Sequence, residues 1–377
     1  MDPLKFYNAL IEEKIEMYAG VPDSLLKEIC ACITDLSGSK NHTICANEGA
    51  AIGMAAGHYM ATGKIGMVYM QNSGFGNTVN PLTSLADPQV YSIPMLLLIG
   101  WRGEPGVKDE PQHVKQGEIS EDLLNIMGIP YKVVDGKSDE SISDMSAMVA
   151  KARAEHRPVA LLIKKGAFEK YTGAKSTVSS VDENLMSREE AIGQVLEVID
   201  ERAIVVSTTG MPSREIFEYR ELNNQGHEKD FLTVGSMGHC SQIAFSIARA
   251  KANRQVVCVD GDGALLMHMG SIAIIGQSDQ ENLIHVVLNN GKHDSVGGQP
   301  TVAKEIDILA IAKACGYVDV IQVSCLDGIT KAIAKMSDAS GPTLIEVLIK
   351  GGSRADLGRP TTTPIENKNA FMSYLND

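Results

Sequence analysis

The stretch VVCVDGDGALLMHMG, residues 256–270, runs an apolar segment into a carboxylate boxed between two glycines. A short continuous apolar run of this kind reads as a strand buried on both faces. A helix-like pattern follows at once, so Asp262 falls where a strand end becomes a helix start, a place suited to phosphate. Strand and helix signals alternate in the same way along the whole chain. This predicts an α/β fold of two open parallel-sheet domains with helices on both faces.

The chain has 377 residues, enough for two domains that each bury a core. Alternation in the first half begins with Asp2-Pro3 as cap and first turn of a helix to about Met17. It includes the Gly/Asn-rich QNSGFGNTVN (71–80), a polar loop from Trp101 to about Gly117, a helix near 119–127 and a helix over 138–156. Polar residues 166–186 lack either periodicity and read as a linker. The predicted domains are therefore 1–168 and 187–377, joined by 169–186. The second half restarts at Ser187 and Glu190, which have capping-box spacing, and carries strands AIVVST, QVVCVD, LIHVVLN, VDVIQV and TLIEVLI.

A formal charge of −13 argues against nucleic acid and anionic membrane as partners, and an anionic substrate would need a local cluster of cations. No apolar run is long enough to span a bilayer, and the start MDPLKFYNAL lacks a secretory layout, so a cytoplasmic location is expected. Seven cysteines, with Cys30 and Cys32 as the one close pair, lack metal or redox spacing and read as reduced thiols.

After Gly263 come 25 residues, 264–288, room for one helix and a return strand that ends in Asn289-Asn290. That layout brings Asn290 beside Asp262 at neighbouring strand ends, where ligands of open α/β sheets bind. A carboxylate, an amide oxygen and a loop carbonyl, at Lys292, make three hard ligands suited to Mg2+ that also binds a diphosphate.

Gly-Asp-Gly, then about two dozen residues, then Asn-Asn resembles the binding motif of thiamine diphosphate enzymes. The resemblance implies thiamine diphosphate and Mg2+ as cofactors, a pyrimidine-binding domain first and a diphosphate- and Mg2+-binding domain second. Gly261, Asp262, Gly263, Ala264 and Asn290 would hold diphosphate and metal. The segment CANEGAAIGMAAGHYMATGK (45–64) resembles the helix that carries the family's glutamate. Glu48 would then bond the aminopyrimidine ring nitrogen and promote loss of the thiazolium C2 proton. VGSMGHCSQIAFSIARA (234–250) resembles the segment that wraps the pyrimidine, with Gly235, Ser236 and Met237 against it and the Met237 side chain between the rings. QNSGFGNTVN resembles a first-domain loop that approaches the cofactor.

A short linker in place of a middle domain resembles the two-domain 2-oxo acid decarboxylases of phosphonopyruvate and sulfopyruvate. GWRGEPGVKDEPQHVKQG (100–117) and NNGKHDSVGGQPT (289–301) are most similar to the phosphonopyruvate branch. It implies decarboxylation of 3-phosphonopyruvate to phosphonoacetaldehyde and carbon dioxide, in phosphonate biosynthesis. Arg102, Lys108 and Lys292 are candidate substrate cations, Arg102 first because a guanidinium grips phosphonate in bidentate fashion. Lys115, Arg354 and Arg359 are further anion candidates. His113 and His293, with His239, are candidate proton relays. The family pairs the pyrimidine domain of one subunit with the diphosphate domain of another, which implies a homo-oligomer of at least two chains. Sulfopyruvate decarboxylation stays open, although that branch is often split into two polypeptides and this chain is fused. A non-catalytic thiamine diphosphate-binding protein and a simple nucleotide-binding module also stay open.

Overall fold

The computed structural model describes residues 1–137, 140–173 and 184–376. The chain forms two compact units, Met1–Ser179 and Ser180–Asp377. The linker expected over 169–186 lies mostly on residues 174–183, outside the described residues.

In the first unit β1 (Tyr18–Gly20), β2 (His42–Ile44), β3 (Met67–Gln71), β4 (Met95–Gly100), β5 (Tyr131–Val134) and β6 (Pro158–Ile163) form one sheet. Its order is β2-β1-β3-β4-β6-β5, parallel throughout. Every residue of β4 and β6 is buried, which is why these strands read as unbroken apolar runs.

The second unit holds β7 (Ile204–Ser207), β8 (Asp230–Leu232), β9 (Val256–Gly261), β10 (Leu283–Asn289), β13 (Asp319–Val323) and β14 (Thr343–Leu348) in a second parallel sheet. A small antiparallel hairpin, β11 (Lys292–His293) with β12 (Gln299–Pro300), stands apart from it. The order β13-β14-β10-β9-β7-β8, counted from the unit's own first strand, repeats that of the first sheet. Each chain segment therefore leaves its first strand to one side and returns on the other. The crevices lie between β1 and β3 and between β7 and β9, at the C-terminal strand ends where ligands collect.

Local signals place the ends of the elements well. Leu4 N–H donates to Asp2 Oδ1 (2.8 Å) at the first helix, and Ser187 and Glu190 form the reciprocal capping box. Differences arise where burial overrides pattern. The first helix stops at Glu12, and Lys14 takes φ 58° so that Ile15 enters the core, where periodicity alone carried the helix to Met17. The Gly/Asn-rich segment is helical over Phe75–Pro81 because Phe75, Thr78 and Leu82 share a buried face. Residues of the expected polar loop form the helix Pro111–Glu118, followed by Ser120–Ile126 in place of one helix near 119–127. The helix expected over 138–156 is described over Glu140–Glu155. The short edge strand β8 carried no alternation long enough to register. All seven cysteines are free thiols, with Cys30 and Cys32 buried. No described helix is long and apolar enough to cross a membrane.

Two glycines let the 101–103 turn press against the helix that begins at Pro111. A Cβ on Gly117 would lie 1.7 Å from the Gly103 carbonyl oxygen, and Gly117 C=O accepts from Trp101 Nε1 (3.0 Å). Gly117→Ala is therefore expected to destabilise the protein by about 1–3 kcal/mol. A lowered unfolding midpoint and a red-shifted emission of Trp101, the sole tryptophan, check it; unchanged values for both refute it.

Candidate active site

The register of β9 against β10 sets Leu288 beside Gly261, so Asp262 and Asn290 follow at adjacent parallel strand ends. Both side chains are buried, at 3% and 5% exposure. Asp262 Oδ2 accepts from Thr301 Oγ1 (2.5 Å). Burial pushes its carboxyl up to about 6, Asp294 adds to this, and bonds from Thr301 and backbone N–H groups offset only part. No cation among the described residues pairs with Asp262, so the centre is short of positive charge, as a divalent-ion site should be.

The Asn289-Asn290 pair divides its labour. Asn289 is tied into the core, with Nδ2 donating to Glu346 Oε1 (2.7 Å) and Oδ1 accepting from Gly291 N–H (3.0 Å). Asn290 faces the Asp294 loop, with Nδ2 donating to Asp294 Oδ2 (2.7 Å). In the hairpin, Thr301 N–H donates to Gly291 C=O (2.9 Å) and Gly298 N–H donates to His293 C=O (3.0 Å). Strand alternation turns the intervening Lys292 carbonyl out of this ladder.

Around Asp262 the structure gathers residues from distant parts of the sequence. A Cβ on Gly263 would meet His293 Cε1 at 2.9 Å and Met237 Cε at 3.4 Å, so the 235–239 turn and the hairpin both press on the strand end. Ser236 (φ 56°) and Gly238 (φ 85°) make that turn, and the His239 ring lies 4.5 Å from that of His268, tilted by 52°. His293 is buried, which holds its imidazole at about 4, neutral near pH 7. Thr208, at the end of β7, was not picked out by its sequence; its buried hydroxyl has no partner among the described residues, and its methyl carbon lies 3.9 Å from where a Gly261 Cβ would stand. Gly261 and Ala264 flank the carboxylate on the same turn. Together the carboxylate without a cation, the oriented amide and the orphaned hydroxyl fit a metal-bound diphosphate.

In the first unit Glu48 opens the helix Glu48–Thr62 behind the cap Asn47 and is 4% exposed. Its Oε2 accepts from Asn77 Nδ2 (2.7 Å), and a Cβ on Gly74 would stand 2.6 Å from Oε1. The Gly/Asn-rich segment is thus the wall that grips Glu48. At the crevice between β1 and β3 lies Asp23, fully buried, accepting from Gln71 Nε2 (2.7 Å) and from Leu25 N–H (3.1 Å). Burial raises its carboxyl above the usual range. Its sequence context, GVPDS, looks like an ordinary turn, and only its burial marks it.

Arg102 is held at that edge. Its backbone bonds both ways with Asn72, and its guanidinium pairs bidentately with Asp109 through Nε–Oδ2 (2.8 Å) and Nη2–Oδ1 (2.5 Å), with Nη1 on Ser24 Oγ (3.0 Å). Burial works to raise Asp109, but Arg102 and Gly103 N–H outweigh it and hold the carboxyl at about 2. Lys108 is exposed on the same loop. His113 is held at about 4 by burial and by Arg102, and its buried Nδ1 has no partner, as has the neighbouring Gln112 Oε1. Lys115 pairs with Glu118 at the surface. Arg354 binds Glu189, Glu218 and Asp356.

The chain matches the family model described as thiamine pyrophosphate enzyme, N-terminal TPP binding domain, over residues 5–126, and that of the C-terminal TPP binding domain over 208–347. The phosphonopyruvate decarboxylase of Streptomyces viridochromogenes is 35% identical over 369 residues, 95% of this chain and 90% of its own. That of Streptomyces hygroscopicus is 33% identical over 371 residues, again 95% and 90%. A sulfopyruvate decarboxylase of Methanosarcina acetivorans is 29% identical over 322 residues, 80% of each chain.

Burial pushes the Glu48 carboxyl up, with Asn77 working the other way. The folded chain therefore holds this proton more tightly than the unfolded chain, and stability falls as pH rises through the usual carboxylate range. Glu48→Gln is expected to stabilise the cofactor-free protein by ~1 kcal/mol at neutral pH. The gain should vanish at about pH 3, where Glu48 is protonated in both states. Denaturant unfolding at the two pH values checks it, and a variant no more stable at neutral pH than the parent sinks it.

Proposed function

The chain belongs to the thiamine pyrophosphate enzymes, in the two-domain group that includes phosphonopyruvate decarboxylase, and we propose that it converts 3-phosphonopyruvate to phosphonoacetaldehyde and carbon dioxide. The observation that carries the reading is the buried Asp262, without a cation, beside the oriented Asn290. Bound thiamine diphosphate supplies a carbon that adds to the substrate ketone and an electron sink for the pair left by carbon dioxide.

The chain's own residues supply position and protons. Asp262, Asn290 and the Lys292 carbonyl would hold Mg2+, and Gly261, Gly263, Ala264 and the Thr208 hydroxyl would line the diphosphate. Gly235 C=O and Met237 N–H would take the aminopyrimidine edge, Ser236 shapes their turn, and the Met237 side chain would pack against the bound rings. Glu48, its proton favoured by burial and one oxygen fixed by Asn77, shares that proton with the pyrimidine ring. Burial keeps His113 and His293 neutral near pH 7, so each would relay a proton by giving up a ring N–H as its other nitrogen accepts, without resting as an imidazolium.

Arg102, Lys108 and Lys292 meet the substrate's two anionic ends. Asp109 fixes the Arg102 fork before substrate arrives, which limits the entropy lost on binding. The reading includes a cytoplasmic homo-oligomer of at least two chains, in keeping with the family's pairing of domains between subunits. A fused chain does not by itself exclude sulfopyruvate, since the Methanosarcina acetivorans protein aligns over 80% of both chains. The substrate therefore rests on the two phosphonopyruvate relatives, each matching 95% of this chain.

Purified protein given thiamine diphosphate, Mg2+ and phosphonopyruvate is expected to release aldehyde and carbon dioxide, with pyruvate and sulfopyruvate turned over far more slowly. Faster turnover of sulfopyruvate would reassign the substrate. Removing metal with chelator should abolish release, and Mg2+ should restore it. Glu48→Gln should bind the cofactor yet lose at least ~100-fold in rate; full activity in this variant would remove Glu48 from the mechanism.

A further inference from the structure

The amide of Asn290 is held in one orientation by partners that admit no other. Its Nδ2 donates to Asp294 Oδ2 (2.7 Å), and its Oδ1 accepts from Lys292 N–H (2.8 Å). A carboxylate only accepts and a peptide N–H only donates, so turning the amide over would set donor against donor and acceptor against acceptor. With Nδ2 committed to Asp294, the second lone pair of Oδ1 is left for a cation.

Asp294 is itself clamped. The same Oδ2 accepts from Arg188 Nη1 (3.2 Å) and from Gly352 N–H (2.9 Å). Arg188 is buried and grips Glu215 bidentately, Nε to Oε2 at 2.8 Å and Nη2 to Oε1 at 3.0 Å. The two partners stand on separate helices, Arg188–Val198 and Met211–Leu222, and Gly352 belongs to the chain after β14. A guanidinium already gripped along its Nε–Nη2 edge by Glu215 cannot follow a moving carboxylate, so Asp294 stays where the helices put it.

We propose that Asp294 is a positioning residue of the metal centre: it fixes the Asn290 amide so that the oxygen faces the ion, and Arg188 holds Asp294 in place. The inference rests on the reading of Asp262 and Asn290 as ligands of a divalent ion. Partners that orient metal ligands typically contribute 10-fold to 100-fold in metal affinity. Asp294 also adds negative charge near Asp262, so a plain electrostatic role has to be separated from an orienting one.

Mn2+ serves as the probe. Metal-free full-length protein is titrated with it in the presence of thiamine diphosphate, and free Mn2+ is read by electron paramagnetic resonance. Unfolding midpoints without ligand verify that each variant is folded. Asp294→Ala is expected to weaken Mn2+ binding about 10-fold to 100-fold. Asp294→Asn should recover most of the loss, because its amide oxygen can accept from Asn290 Nδ2 with Arg188 and Gly352 N–H orienting it. Asp294→Glu, which keeps the charge and displaces the acceptor, should bind as weakly as the alanine variant and stands in for it should that variant not fold. Asn290→Ala combined with Asp294→Ala should be no weaker than Asn290→Ala alone, since Asp294 acts through that amide.

Parental affinity in Asp294→Ala or Asp294→Glu overturns the proposal. So does an asparagine variant as weak as alanine, which would show a charge effect, or full additivity in the double variant. If Asn290→Ala alone binds Mn2+ like the parent, the metal-site reading itself has failed, an outcome separate from failure of Asp294 alone.

Discussion

The site depends on a carboxylate buried without a countercharge. Asp262 sits at the end of a parallel strand, out of water, and its ionised form is disfavoured until something positive arrives. Ordinary folding pressure would remove such a group or pair it, as Asp230 is paired with Arg220 at the neighbouring sheet edge. The contrast within one unit is informative. Asp230 has its guanidinium built into the chain, whereas Asp262 has a hydroxyl, backbone N–H groups and a nearby second acid. On the proposed reading a divalent ion and its diphosphate would complete what the chain leaves open, and cofactor affinity and local stability would then be two aspects of one electrostatic balance.

The two units repeat one strand order and apply it to different chemistry. In the second, the crevice between β7 and β9 is lined by an orphaned hydroxyl and the acid that lacks a cation, an arrangement suited to metal and phosphate. In the first, the crevice between β1 and β3 is closed by the Asp23–Gln71 bond, and Glu48 is gripped nearby by Gly74 and by Asn77 of the helix that follows it. Both acids are raised by burial, which suits holding and releasing protons. Topology supplies the position, and the side chains at the strand ends decide what is bound.

How much of this was legible in the sequence follows from the range of the interactions. Asp262 and Asn290 stand in segments where strand ends, glycines and spacing carry the signal locally, Glu48 is reached only through the family resemblance of its helix, and the fold class follows from alternation. Asp23, Thr208 and Asp294 do not. Each owes its standing to burial or to a partner far along the chain, as with Arg188 and Asp294, 106 residues apart. The Gly/Asn-rich 71–80 segment failed differently. Its composition resembles a loop, yet Phe75, Thr78 and Leu82 bury a helical face against the core, and tertiary packing overrides a weak propensity.

Arg102 shows why residue type alone does not settle substrate binding. A guanidinium facing a dianion would ordinarily be expected free, but here Asp109 occupies one of its edges through Nε and Nη2, and Ser24 accepts from Nη1. The cost is weaker net attraction, since one carboxylate already cancels the charge. The gain is a fork whose direction is set before binding, in a protein whose overall charge of −13 would otherwise favour collapse of any loose cation onto the nearest acid. If substrate binds at this edge as proposed, its phosphonate would meet a pre-aimed pair and not a searching side chain. Selectivity would then come from how far the Asp109 loop, which also carries Lys108, yields to a second negative charge. A sulfonate, with one charge fewer, would draw that loop less strongly, and the same contacts would discriminate between the two acids through charge with little difference in shape.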